Sequence, residues 1–335
     1  MSRVLVIGPD YFNFLSAVCS AFRSLGWDAC PEGYDNPVHP YNMLMRVRWK
    51  FSRDRESLQS ASRSAYKTYI EKRFRALRPD MVFIMNGDIL SPATIDYFKC
   101  SARVVLWLFD SMDKVRGAGV LARHSDYVFS FEQSDVDMFC RYGVDAHFLP
   151  QAYDSTVYRP LGLERDIDIL FIGNMFYSPK RKETIETVIN AFPDRKIQVH
   201  GLYQPWYKGI KEWYRRPHKD IITNANVSPE EANELYNRAK VVLNVHQEHQ
   251  KSGANPRVFE ILGAGAYQVC DANPFLEALF SDGGVGLYHN FDELKELVSE
   301  ALEPGFVIPR LSSEDLEECT FEARMREVLK VISES

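Results

Sequence analysis

The chain has 335 residues, 45% of them apolar and 26% charged, with a formal net charge of -6. That composition is globular and long enough for two ordinary domains. The acidic balance excludes general nucleic-acid binding, no apolar run is long enough to span a bilayer, and six scattered cysteines without a C-x-x-C pair exclude a zinc ribbon or a disulfide framework.

The chain opens on "RVLVIG", a short apolar run that reads as a buried first strand and not as a signal peptide, so a cytoplasmic location is expected. "YFNFLSAVCSAFRSLG" has helical spacing and stops at Gly26. Residues 43–78 are helical by composition and carry eleven Lys/Arg against three Asp/Glu, with Met43, Leu44, Met45, Val47, Trp49 and Phe51 interleaved. They suit either a solvated helix pair or peripheral contact with the inner face of a membrane bearing anionic lipid. "DMVFIMNG", "ARVVLWLFD", "DYVFSF" and "AHFLP" follow as strands. Continuous apolar strands separated by helices imply a parallel sheet covered on both faces.

The pattern lapses over residues 151–165 and then restarts. "DIDILFIGN", "KIQVHG", "KVVLNVH" and "YQVCD" read as strands. "KRKETIETVINAF", "SPEEANELYNRA" with Ser228 at its N-cap, "RVFEILGAGA" and "NFDELKELVSEALE" read as helices. "SSEDLEECTFEARMREVLKVIS" closes the chain as a helix. The expected fold is α/β: two Rossmann-like domains, 1–155 and 165–312, facing each other across a cleft, with a helix at 313–335 that packs back on the first domain. Ligands of such sheets bind beyond the carboxyl ends of the strands.

The densest chemistry lies in "LNVHQEHQKSGANPRVFEILGAGAYQVCD". Asn255 and Pro256 suit a first helical turn, whose N–H groups make an anion site. Arg257 adds a fork suited to phosphate, and Glu260, one turn on, can accept from a ribose diol. Gly263 and Gly265 allow a tight turn and close packing. These groups suit a nucleoside diphosphate, and equally an ordinary strand-loop-helix unit with a surface Arg–Glu pair. In the first half, Gly8, Pro9 and Asp10 follow one strand, Asn86, Gly87 and Asp88 another, and Asp110 and Asp113 a third. Asp110 is the best candidate for contact with a reacting hydroxyl, and His246 is a second catalytic candidate. "DID" at Asp166–Asp168 begins a strand, the wrong end for a metal site, and no metal site is expected.

This segment resembles the signature of GT-B glycosyltransferases grouped with the spore maturation protein family and its "glycosyl transferases group 1" domain. "VVLWLFDSMDK", "YVFSFEQSDVDMFCRYGVDAHFLPQAYDSTVYRP" and "DIDILFIGNMFYSPKRKETI" agree with the same family. The resemblance implies transfer of a sugar from a nucleotide-sugar, first among them a UDP-sugar, to a glycan, lipid-linked or protein acceptor in polysaccharide biosynthesis. It implies no further cofactor and a retaining outcome. Carried over residue by residue, Glu260 holds the donor's ribose and Arg257 faces its pyrophosphate, in a loop with Ser252, Gly253 and Asn255. Gly173 and Asn174 approach the phosphates, Lys180 or Arg181 offsets the leaving diphosphate, and His200 and Gly201 hold the base. Asp10, Asn86, Asp88 and Asp113 fall on the acceptor side. The family's E-x7-E pattern is broken here, since Ser252 stands eight residues before Glu260. A nucleotide-sugar 2-epimerase and a non-catalytic nucleotide-sugar-binding protein are the alternatives; a dinucleotide oxidoreductase is disfavoured because "GPDYFN" lacks the G-x-G-x-x-G fingerprint.

Overall fold

The structure, a computed structural model, describes every residue except 10–11, 35–46, 48–54, 205–209, 215–216, 282 and 335. Asp10 and most of the basic stretch from Met43 to Asp54 therefore lie outside the described residues. The chain forms two compact units, Met1–Pro150 with Phe321–Ser335, and Gln151–Thr320.

In chain order the first unit holds β1 (Arg3–Gly8), α1 (Phe14–Ser24), β2 (Asp28–Gly33), α2 (Arg55–Leu77), β3 (Met81–Met85), α3 (Pro92–Lys99), β4 (Arg103–Leu108), α4 (Ala118–His124), β5 (Tyr127–Ser130), α5 (Gln133–Arg141) and β6 (Ala146–Phe148). The second holds β7 (Ile167–Ile172), α6 (Pro179–Ala191), β8 (Ile197–His200), α7 (Ile210–Tyr214), α8 (Pro229–Arg238), β9 (Ala239–Asn244), α9 (Pro256–Gly263), β10 (Gln268–Asp271), α10 (Pro274–Leu279), β11 (Gly286–Tyr288), α11 (Phe291–Ala301) and α12 (Ser313–Glu318). The last helix, α13 (Phe321–Glu334), returns to the first unit.

Each unit is a parallel sheet with helices on both faces, ordered β2-β1-β3-β4-β5-β6 in the first and β11-β10-β9-β7-β8 in the second. The α/β class and its two Rossmann-like sheets are those the sequence leads one to expect. The edge strands β2 and β11 are additions. "DACPEG" hides as a strand because it carries Pro31 and two acids, which an edge tolerates since one side of it has no ladder to complete.

The segment read as one closing helix is two. Between them, the Cys319 carbonyl accepts from the Tyr153 N–H at 3.2 Å and Thr320 bridges Tyr153, so this backbone pairs with the linker and leaves the helical ladder. Phe321 then stacks on Phe109 (6.2 Å, 13° between planes), with Phe14 and Trp107 at its edges. Each such fully buried ring is worth roughly 1.5–3 kcal/mol of transfer free energy, which anchors α13 on the sheet beside α1. In both sheets the chain reverses direction of growth once, between β1 and β3 and between β7 and β9. The loops leaving those strands are where an α/β sheet opens a crevice for ligand.

Candidate functional site

In the second unit the crevice is built from the ends of β7, β8, β9 and β10. The Gly173 N–H donates to the His200 carbonyl at 2.8 Å, and a Cβ on Gly201, whose φ is 132°, would sit 2.1 Å from the Gly173 oxygen. Only glycine lets these two strand ends meet. Asn174 fixes the neighbouring turn by accepting from the Leu202 N–H at 3.0 Å. His200 lies beside it, half-buried; burial lowers its pKa against the opposing charge of Glu231.

Two of the helices that begin at this edge, α6 and α9, differ in their first turns. At α6 the Ser178 hydroxyl donates to both Glu248 carboxylate oxygens at 3.0 and 3.1 Å, and the Lys180 N–H donates to the same carboxylate at 3.1 Å. That N-terminus already holds an anion from the chain itself. Arg181 is only 3% exposed; its Nε donates to the Val245 carbonyl at 2.8 Å and an Nη to the Asn174 carbonyl at 3.1 Å. Neither partner is a carboxylate. Burial first, and the like charge of Arg257 second, lower its pKa to about 10.

At α9 the N-cap residue Asn255 makes no side-chain cap. Its amide is turned inward instead, donating to Asn244 at 3.0 Å, and Asn244 donates in turn to Gln268 at 3.2 Å. Gln268 closes this buried set by donating to the Val258 carbonyl at 2.8 Å. The Asn255 N–H donates to His246 Nε2 at 3.2 Å, which makes Nε2 an acceptor and leaves Nδ1–H to donate to Asp271 Oδ1 at 2.9 Å. His246 is 1% exposed with both nitrogens occupied. The sequence offers it as a catalytic candidate, and the structure places its side chain inside the protein, bonded to Asp271 and to the Asn255 N–H. Lys180 Nζ reaches the other Asp271 oxygen at 2.6 Å. Burial pushes the Asp271 carboxyl up, but the His246 and Lys180 contacts outweigh it and hold the pKa below the usual carboxylate range. Among the described residues, His246, Cys270 and Asp271 bring possible metal-ligand atoms within 4.8 Å of one another. Their donor atoms are spent on each other, and the Lys180 ammonium stands against the carboxylate a cation would need.

Glu260 is buried, with the Tyr158 and Tyr236 hydroxyls beside it. Burial raises its pKa, and the charge of Arg257 is the strongest effect opposing that rise. Gly263, one turn on, packs against the linker: a Cβ there would meet the Tyr153 ring at 2.4 Å. This is why the helix ends in small residues. Ser252 is half-buried and Gly253 buried in the loop before α9, where the Gly253 carbonyl accepts from Asn273 at 2.9 Å. Asp166 and Asp168, at the opposite end of β7, are paired with Arg238 and Lys196 and with Lys240.

In the first unit Asn86 sits at φ 62° after β3. Its side chain accepts from the Phe109 and Asp110 N–H groups at 2.8 and 3.0 Å and donates to the Asp110 carboxylate at 3.0 Å. Asp88 is exposed and accepts from the Tyr34 hydroxyl at 2.8 Å; Asp113 is exposed. Sequence reasoning missed Asp135, whose pKa burial raises to about 6 while it accepts from the Met112 N–H and the Ser130 hydroxyl. It missed Asp271 and Glu248 as well. Only their places, at a strand end and in the loop after "LNVH", signal them.

Residues 180–311 match a family model described as glycosyl transferase-like. A relative is the spore protein CgeB of Bacillus subtilis (strain 168), 22% identical over 243 residues that cover 67% of this chain and 72% of that protein. Sucrose-phosphate synthase from Thermosynechococcus elongatus superposes with a TM-score of 0.66 at 12% identity, over 100% of this chain and 99% of that one. Anabaena HepE, solved in complex with UDP and glucose, gives 0.63 at 11% identity over 99% and 100%.

Proposed function

We propose that this chain, whose fold is GT-B, is a glycosyltransferase of the group 1 type that transfers a sugar from a nucleotide-sugar and binds that donor's diphosphate at the start of α9. The observation that carries the reading is Arg181. A guanidinium buried to this degree is costly; its direct hydrogen bonds go to carbonyl oxygens, the Asp271 and Glu248 charges act on it without a hydrogen bond, and Arg257 adds a second positive charge nearby. The uncapped first turn of α9 adds the partial positive charge of a helix N-terminus. Positive charge so placed suits a diphosphate, and it suits the transition state better, because negative charge grows on the leaving phosphate as the glycosidic bond breaks.

In this reading Glu260 takes the ribose diol, the backbone at Gly173 and Asn174 approaches the phosphates, and His200 and Gly201 line the base. The acceptor hydroxyl is received in the first unit, at Asp110, which Asn86 orients. Lys180 and the arginines balance the leaving group without a divalent ion, and a UDP-sugar is the first donor to try because HepE binds UDP. The test is a thermal-shift screen of UDP-, GDP-, dTDP- and CMP-sugars, since a ligand of the folded state raises its midpoint by mass action. Turnover of the best donor is then followed in excess EDTA. One donor should stand out and activity should persist in EDTA. A flat screen overturns the donor site, and activity lost in EDTA and restored by magnesium overturns metal-independence.

A further inference from the structure

Four groups in the second unit form one unbroken chain of hydrogen bonds. The Lys180 ammonium, at the start of α6, donates to Asp271 Oδ2 at 2.6 Å. Asp271 Oδ1 accepts from both the His246 backbone N–H at 2.8 Å and its Nδ1–H at 2.9 Å. His246 Nε2 accepts from the Asn255 N–H at 3.2 Å, at the start of α9. One carboxylate thus ties a partly exposed cation on one helix to the backbone that begins another. Its two central members are buried, His246 to 1% exposure and Asp271 to 7%.

We propose that Asp271 and His246 are positioning residues that set the Lys180 ammonium and the first turn of α9 at a fixed separation matched to a diphosphate. The inference rests on the donor-site reading above and adds to it how the site is held. Groups that must receive charge in a transition state act best when already oriented, because no reorganisation is then needed. The other tethers of the same loop agree. Asn273 holds the Gly253 carbonyl, Asn244 holds the Asn255 side chain, and Gln268 holds the Val258 carbonyl. Every one of them comes from the end of β9 or from β10 and the turn after it. Strand ends are the most rigid supports available to such a loop.

His246 has two near-isosteres that divide its functions. An Asn amide reaches the Nδ1 position and keeps the bond to Asp271 but loses the acceptor for Asn255. A Gln amide reaches the Nε2 position and restores that acceptor. UDP, GDP, dTDP and CDP are titrated calorimetrically into the full-length wild type, and the tightest is carried forward with its parent nucleoside and with inorganic pyrophosphate. His246→Asn should weaken the nucleoside diphosphate and pyrophosphate at least tenfold while leaving the nucleoside within twofold. His246→Gln should recover the diphosphate to within threefold of wild type. Asp271→Asn, which presents an N–H to Lys180, should show the same selective loss and serves if His246→Asn does not fold. Equal weakening of nucleoside and diphosphate, unchanged binding, or failure of Gln to rescue would each overturn the positioning role. A wild type that binds none of the four diphosphates defeats the donor-site reading instead, and the positioning role with it.

Discussion

Arg257 has two obligations in this structure, and a substitution exposes both. It lies in the first turn of α9, and its charge holds the buried Glu260 carboxyl down while it repels Arg181. Removing it as Arg257→Ala deletes charge-assisted hydrogen bonds to the proposed diphosphate, worth about 1.5–3 kcal/mol, or roughly ten- to a hundredfold in affinity. It also leaves Glu260 buried without its cation, a situation that costs up to about 3–5 kcal/mol when the carboxylate stays charged. Glu260 can escape part of that cost by taking up a proton. Its folded pKa is already raised above the unfolded value, so its favourable contribution is present at low pH and is lost as pH rises through the folded pKa. The stability deficit of Arg257→Ala should therefore widen from acid to neutral pH. Arg257→Lys keeps the charge Glu260 needs but offers a point charge in place of a fork. Its unfolding midpoint in urea should lie near wild type, with diphosphate affinity only partly recovered. Nucleoside affinity should be unchanged in Arg257→Lys, which keeps the charge beside Glu260. An Arg257→Ala protein that binds the diphosphate as tightly as wild type refutes the assignment, and an Arg257→Lys protein with full affinity refutes the need for a fork.

Gly201→Ala forces a Cβ onto the Gly173 carbonyl at a positive φ and should cost about 2–5 kcal/mol, read as a lowered urea midpoint; a change under about 0.5 kcal/mol would show that the strand ends can part. Asp135 carries a pKa raised to about 6, so the protein loses stability as pH climbs from about 4 through 6. Asp135→Asn should flatten that slope, which at most amounts to about 3 kcal/mol; identical pH–midpoint curves for variant and wild type would contradict it.

Where function is concerned, the sequence is most informative at the end of β9. The helix start at Pro256, the arginine in its first turn and the small residues at its end are local signals, and the structure gives each a local cause. The pairing of Asn255 with Asn244, and of His246 with Asp271, is not local: each bond spans 11 to 25 residues and depends on which strands lie side by side. A histidine after an apolar strand looks the same in sequence whether it faces solvent or a buried carboxylate. The edge strands escape notice for a related reason, because an edge places fewer demands on its residues than a central strand does. Arg181 is the sharpest case. Adjacent to Lys180 in the sequence, it reads as an interchangeable cation, but helix periodicity turns it into the protein and leaves Lys180 partly exposed.

The helix starts of α6 and α9, at the edge of the second sheet, follow the same rules and reach different ends. Both begin with proline at the first position, and both would favour an anion. At α6 that anion is Glu248, which arrives from the loop after β9 and takes the Ser178 hydroxyl and the Lys180 N–H together. At α9 the one residue able to cap, Asn255, is drawn away by Asn244, and two arginines stand nearby. Asn244 comes from the same strand whose following loop delivers Glu248. β9 therefore satisfies one helix start from within the chain and withholds a cap from the other. Propensity alone ranks the two starts equally as phosphate sites. The partners that β9 supplies tell them apart, and on the proposed reading they leave α9 to receive the diphosphate.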